Sequence, residues 1–185
     1  LNQKHSNKVI YFDKKNSIKN RLKGDGIITP INNLGIAVLT ADCAPILFYD
    51  PARKVIACAH AGWKGALNGI IKNTVEQFNK LNCNKGDIIA AVGPCIKQKN
   101  YEVGLDFYEK FLNQSSDNNK CFQKINNNSF LFDLRKYINK KLLNCDIKKI
   151  DNIELDTFAE KENFFSYRRS KKNNEEDYGR CISVI

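Results

Sequence analysis

At 185 residues and 42% hydrophobic content, the chain is long enough for one domain with a real core. It has no apolar run long enough to cross a bilayer, and no basic stretch followed by an apolar one at its start, so neither a membrane span nor a secretion signal is expected. The net charge of +10 comes from lysines scattered among Asn and Ile along the whole chain. That distribution argues against a nucleic-acid-binding stripe and for a basic site that takes a phosphorylated small molecule.

The chain opens with LNQKHSNKV and contains no Met, which suggests that an amino-terminal segment is missing. The segment 34–50, LGIAVLTADCAPILFYD, holds two strand-forming runs split at Asp42-Cys43-Ala44-Pro45, and Asp50-Pro51 is a turn signal. KVIACAH, 54–60, is a further buried strand. If strand 34–41 neighbours strand 54–60, Cys43 and His60 share one sheet edge. After Gly65 the period changes: Leu67, Ile70, Ile71, Thr74, Val75, Phe78 and Leu81 recur at helical spacing. DIIAAVGP, 87–94, reads as the next strand, stopped by Gly93-Pro94, and 101–112 as a short helix. The Asn-, Ser- and Lys-rich stretch 113–129 reads as a surface loop. A second amphipathic helix follows over 132–143, with Asp133 placed to cap it. A strand at 147–155, a loop carrying FFSYRR at 164–169 and a final strand close the chain. The pattern is one α/β domain over residues 1–185 with mixed strand pairing and no repeats.

Seven cysteines stand at 43, 58, 83, 95, 121, 145 and 181. An odd number at irregular spacing without CxxC is no disulfide framework and fits a reducing cytoplasm. Cys43 differs from the rest because it lies at a strand break, where side chains are held yet reachable. The only histidines are His5 and His60. One thiolate and two imidazoles form a good zinc set, and three protein ligands leave a fourth position for water or substrate. The same Cys–His pair also suits a thiolate nucleophile acting on an amide or ester. Spacing does not separate these two readings from a third, in which Cys43 packs, His60 caps and His5 is solvated.

In HAGWKG, 60–65, Gly62 and Gly65 allow a tight strand-to-helix turn, and Lys64 could hold a phosphate beside free helix N–H groups. Trp63 reads as a core plug. Arg168 and Arg169, beside two aromatic residues in FFSYRR, could grip phosphate and stack on a base. Asp42, Asp25 and Glu102 each lie near a break or turn, and one of them could orient a ligand histidine or move a proton.

QKHSNKV, GDGIIT, LTADCAPILFYD, AHAGWKG, AVGPCI, YEV, FDL and FFSYRR followed by GR occur in order over nearly the whole chain. On these motifs the chain resembles the YfiH family, also called laccase-domain or polyphenol oxidase proteins. The resemblance implies a compact layered α/β (α+β) sandwich of mixed sheets flanked by helices, related to bacterial toxin deamidases. It implies metal ligands at His5, Cys43 and His60, with zinc as the metal and copper as the other candidate. It also implies phosphorolysis of adenosine, inosine and methylthioadenosine, and adenosine deamination, with Cys43, His60 and Asp42 as catalytic residues. Lys64, Arg168 and Arg169 would then bind substrate or phosphate. The expected partners are a purine nucleoside and phosphate, with no nucleic acid and no membrane.

Members of the family are also described as copper-dependent phenol oxidases and as editors of peptidoglycan precursors. Two histidines are too few for a multicopper centre of the blue-copper type. The chain departs from the family in two places. Members carry further residues ahead of the QKH segment, and many have Cys-Thr where this chain reads Asp156-Thr157.

Overall fold

A computed structural model describes residues 1–13 and 22–185. In chain order the elements are β1 (Val9–Tyr11), β2 (Gly26–Thr29), β3 (Ala37–Thr40), β4 (Ala44–Asp50), β5 (Val55–Ala61), α1 (Trp63–Leu67), α2 (Ile70–Lys80) and β6 (Ile89–Val92). There follow β7 (Glu102–Gly104), α3 (Leu105–Gln114), β8 (Phe122–Lys124), β9 (Ser129–Phe132), α4 (Leu134–Leu143), β10 (Lys149–Asn152), α5 (Tyr167–Lys172) and β11 (Cys181–Val184). Six strands form the main sheet in the order β1-β2-β5-β4-β6-β10, parallel at its two outer pairs and antiparallel between. The fold is the mixed α/β arrangement expected. No helix among the described residues is long and apolar enough to cross a membrane.

The two central strands are apolar on both faces: six of the seven residues of β5 are buried and five of those in β4. Strands covered on both sides read as continuous apolar runs. Helix α2 covers one face with Ile70, Ile71, Val75 and Phe78, all buried, and Phe78 meets Phe48 at 6.2 Å between ring centroids. Each such side chain contributes roughly 1.5–3 kcal/mol of burial free energy. The helical run breaks between α1 and α2 at Gly69, whose φ of +96° suits glycine alone.

A three-stranded sheet, β7-β9-β8, packs with α3 and α4 around Phe107, Phe111, Phe122, Phe132 and Tyr137. Trp63 joins this cluster, 4.8 Å from Phe107. The stretch read as a loop, 113–129, therefore contains a 3-10 turn (Ser116–Cys121) and the edge strand β8. Most of its Asn and Lys residues are exposed, but Asn118 is buried and donates to the Phe111 carbonyl at 2.8 Å. Likewise 101–112 divides into β7 and α3, and FFSYRR leads into a helix, α5, capped by the Ser166 side chain. Asp133 caps α4 as expected, accepting from the Lys136 N–H at 2.9 Å.

One pairing differs in a way that matters for the site. β3 is not a neighbour of β5 in the main sheet; it forms a two-stranded ribbon with β11, with Cys181 opposite Thr40. Cys43 and His60 meet instead through the β4–β5 hairpin, where Ala44 lies opposite Ala61 and Pro45 opposite His60.

Candidate metal centre and its cavities

Cys43 stands one residue before β4, and His60 is the penultimate residue of β5. The hairpin register brings both side chains to one end of the sheet. His5 arrives from the amino-terminal segment, its Nε2 3.8 Å from Cys43 Sγ. One donor atom from each of His5, Cys43 and His60 lies within 4.8 Å of the others. The two imidazoles meet edge to face, with centroids 4.7 Å apart.

Asp25, fully buried just before β2, organises two of the three. Its carboxylate accepts from the backbone N–H groups of Lys4, His5 and Ser6 at 3.1, 2.9 and 2.7 Å, and from Ser6 Oγ at 2.6 Å. It also accepts from His60 Nδ1 at 2.8 Å. The last contact fixes the His60 tautomer and leaves Nε2 unprotonated for a metal. Burial works to raise the Asp25 carboxyl, but the hydrogen bonds from His60, Ser6 and Lys4 outweigh it and hold the group well below the usual carboxylate range. Of the three candidate carboxylates, Asp25 is therefore the one that orients a ligand histidine.

Asp42 plays a different part. It is buried, at a φ of +77°, and accepts from Thr157 Oγ1 at 2.8 Å, Ser166 Oγ at 2.9 Å and the Arg168 N–H at 2.7 Å. It ties the carboxy-terminal segment to the strand break that carries Cys43. His5 also sits at positive φ, +57°. Non-glycine residues in this region are uncommon and persist where surrounding contacts hold them. Glu102 lies outside the site on an exposed strand, where its side chain accepts from Ser129 and its backbone carbonyl accepts from Arg168.

Gly62 has an ordinary φ of −73°, so it is not needed for the turn. A Cβ there would lie 2.7 Å from Cys43 Sγ and 2.9 Å from His5 Cδ2. The residue is glycine because the ligand atoms occupy the space. Gly65 is similar: a Cβ would meet the Ser6 carbonyl oxygen at 3.0 Å. Both glycines of HAGWKG make room for the segment that delivers His5, a reason invisible without the third dimension.

The thiol and His5 are shifted as well. Burial, then the neighbouring Asp42, pushes Cys43 up to about 12. Burial, then His60, lowers His5 against an upward pull from Asp25. An unassisted thiol is thus held protonated, the reverse of what a metal-free thiolate nucleophile requires. A cation among the three donors would reverse that preference.

A cavity of about 440 Å³ opens on His5 and Cys43, walled by Trp63, Tyr101 and Tyr167. Lys64 and Arg168 line it too. The Lys64 ammonium lies 5.4 Å from the Trp63 ring, and the Arg168 guanidinium 5.3 Å from the Tyr101 ring. Arg169 does not join them. Its guanidinium donates to the carbonyls of Thr157, Phe158 and Phe164, stapling a loop. Adjacent residues on a helix point about 100° apart, so α5 can present only one of the pair to the cavity. Tyr101, Tyr167 and Tyr178, which line this cavity, were not singled out from the sequence as site residues, since isolated tyrosines carry no spacing signal.

The family model described as multi-copper polyphenol oxidoreductase laccase matches residues 1–185. The chain belongs to this family, the YfiH or laccase-domain proteins. A purine nucleoside phosphorylase of Rickettsia conorii is 39% identical over 171 residues, covering 92% of this chain and 70% of that protein. The purine nucleoside phosphorylase YfiH of Escherichia coli is 36% identical over 149 residues, covering 80% of this chain and 58% of its own length. The crystal structure of Bacillus licheniformis hypothetical protein YfiH superposes with a TM-score of 0.89 at 30% identity, covering 98% of this chain and 71% of that one.

The three donors present suit one metal ion. Ligand bonds of about 2.0–2.3 Å let one ion reach all three donors once the widest pair draws in by roughly an ångström. His5 is the exposed member of the three, its backbone held by Asp25.

Proposed function

We infer that this protein is a metal-dependent purine nucleoside phosphorylase of the YfiH type, with zinc held by His5, Cys43 and His60. The observation that carries this reading is the convergence of His5, Cys43 and His60, two of which, His5 and Cys43, line an aromatic-walled cavity. The names of the relatives supply the substrate class, and thiolate plus imidazole is a zinc donor set. A bound zinc ion would act as a Lewis acid on a substrate oxygen.

The chain's own residues do the rest. Trp63, Tyr101 and Tyr167 offer flat faces to a purine. Arg168 is tied to the Glu102 carbonyl at 2.9 Å and laid over Tyr101, so it stiffens that wall. Lys4 and Lys64 place positive charge at the rim. In the reaction the C1′–N9 bond breaks and its electron pair leaves with the purine. A phosphate oxygen forms the new bond to C1′, and the proton carried by phosphate ends on the base. Deamination of adenosine is the second reaction we assign to the site. It places C6 of the base, rather than C1′, over the three ligands and so needs a different seating. All seven cysteines are free, which suits the reducing cytoplasm where we place the protein.

The test is to incubate zinc-loaded protein with inosine and phosphate and to follow hypoxanthine and ribose 1-phosphate, with a chelated sample beside it. Product that disappears on chelation and returns with zinc supports the reading. Cleavage of an amide substrate that survives zinc removal would establish the thiolate hydrolase instead.

A further inference from the structure

We propose that inorganic phosphate enters through a second cavity, adjoining the aromatic-walled one at the His–Cys–His group, and is gripped there by Arg180. The proposal deepens the phosphorolysis reading above and rests on it. A second cavity, of about 420 Å³, reaches His5, Cys43 and His60 from the β3–β11 side and is lined by Thr40 and Arg180. It shares His5, Ala41, Cys43 and Tyr178 with the first cavity, so the two cavities adjoin at the ligand cluster.

The walls differ in chemistry. The first cavity has three aromatic faces besides Tyr178, and its two best-placed cations, Lys64 and Arg168, lie over rings. In the second cavity Tyr178 is the only aromatic side chain. The Arg180 guanidinium lies 4.8 Å from the Tyr178 ring and contacts its hydroxyl at 3.4 Å. Among the described residues no carboxylate pairs with it. Most of its donor fork remains for a tetrahedral oxyanion. Thr40 adds a hydroxyl to the same wall. Gln3 is not part of the grip, because its amide is spent on the Leu39 N–H and carbonyl at 2.9 and 2.7 Å.

Arg180 is also well placed to act as a fixed arm. It directly precedes β11, whose first residue, Cys181, is in register with Thr40. No Asp or Glu is among the described residues lining this cavity. Displacement at an anomeric carbon brings the incoming oxygen to the face opposite the departing base. Two adjoining cavities of different lining give the reactants separate seats, with the ribose beside His5 and Cys43, the base against Trp63 and Tyr101, and phosphate at Arg180.

The experiment compares wild type, Arg180→Gln, Arg180→Lys and Arg168→Gln at equal zinc content. Phosphate and inosine are varied in turn. Inorganic phosphate is also titrated calorimetrically into each metal-free protein. The expected result is a rise of about tenfold or more in the KM for phosphate in Arg180→Gln, the loss of a hydrogen bond to a charged group. A parallel fall in phosphate affinity should appear without metal, with partial recovery in Arg180→Lys. Arg168→Gln should raise the KM for inosine instead. An unchanged phosphate KM and unchanged calorimetric affinity in Arg180→Gln would overturn the proposal, as would a phosphate effect confined to Arg168→Gln. If wild type cleaves inosine at a rate independent of phosphate, the phosphorylase reading fails. In that case the calorimetric arm still decides whether Arg180 binds the anion.

Discussion

Two buried aspartates flank the same cluster, and they do opposite things. Asp25 gathers five donors from His60 and the His5 segment, so its charge is spent on the metal ligands themselves. Asp42, the immediate neighbour of Cys43, gathers donors from Thr157, Ser166 and Arg168, more than a hundred residues downstream. It holds the wall of the substrate cavity rather than the ligands. Residue type and burial are alike, and the role is set by which donors reach each carboxylate. Asp42 therefore acts by positioning, through the segment it anchors.

The largest effect should come from a change that spares both aspartates and removes the space between the ligands. Gly62→Ala puts a methyl group 2.7 Å from Cys43 Sγ. It should abolish stoichiometric zinc binding, read by metal analysis, while circular dichroism shows the fold retained. Retained zinc at full occupancy would show that the ligands do not meet as described. Asp25→Asn comes next. The substitution loosens the His60 tautomer and the His5 loop, and should weaken zinc binding by about 10–100-fold in a competition titration with a chelating dye. Asp42→Asn should leave zinc affinity unchanged and lower stability by about 1–3 kcal/mol in urea unfolding, since one amide hydrogen now faces N–H and O–H donors. It should also raise the KM for nucleoside. If Asp42→Asn loses zinc as severely as Asp25→Asn, the division between the two carboxylates collapses. Chelation provides the smallest and most general check. It should lower the Tm of wild type and Asp42→Asn but not of Gly62→Ala, because only bound ligand adds to stability.

Much of the site could be read in the chain. The strand break at Cys43, the strand ending near His60 and the helix after it follow from apolar periodicity, and the family motifs point to His5. Sequence periodicity left the sheet order ambiguous, and β3 proved to pair with β11 at the far end of the chain. Short apolar runs are good strand signals but carry no information about their partners. Adjacent arginines could not be told apart either, since only the helix phase of α5 sends Arg168 to the cavity and Arg169 to three carbonyls.

The amino-acid sequence by itself determined the apolar strands of the core and the main helices, because periodicity is a local property, while His5, Cys43 and His60 were singled out by residue chemistry together with the family motifs. Tertiary structure alone decided which carboxylate serves the candidate ligands, why Gly62 must lack a side chain, and that two cavities meet at the cluster. Those facts depend on distances between segments remote in the chain, and such distances exist only once the β4–β5 hairpin, the His5 segment and the carboxy-terminal helix have packed together.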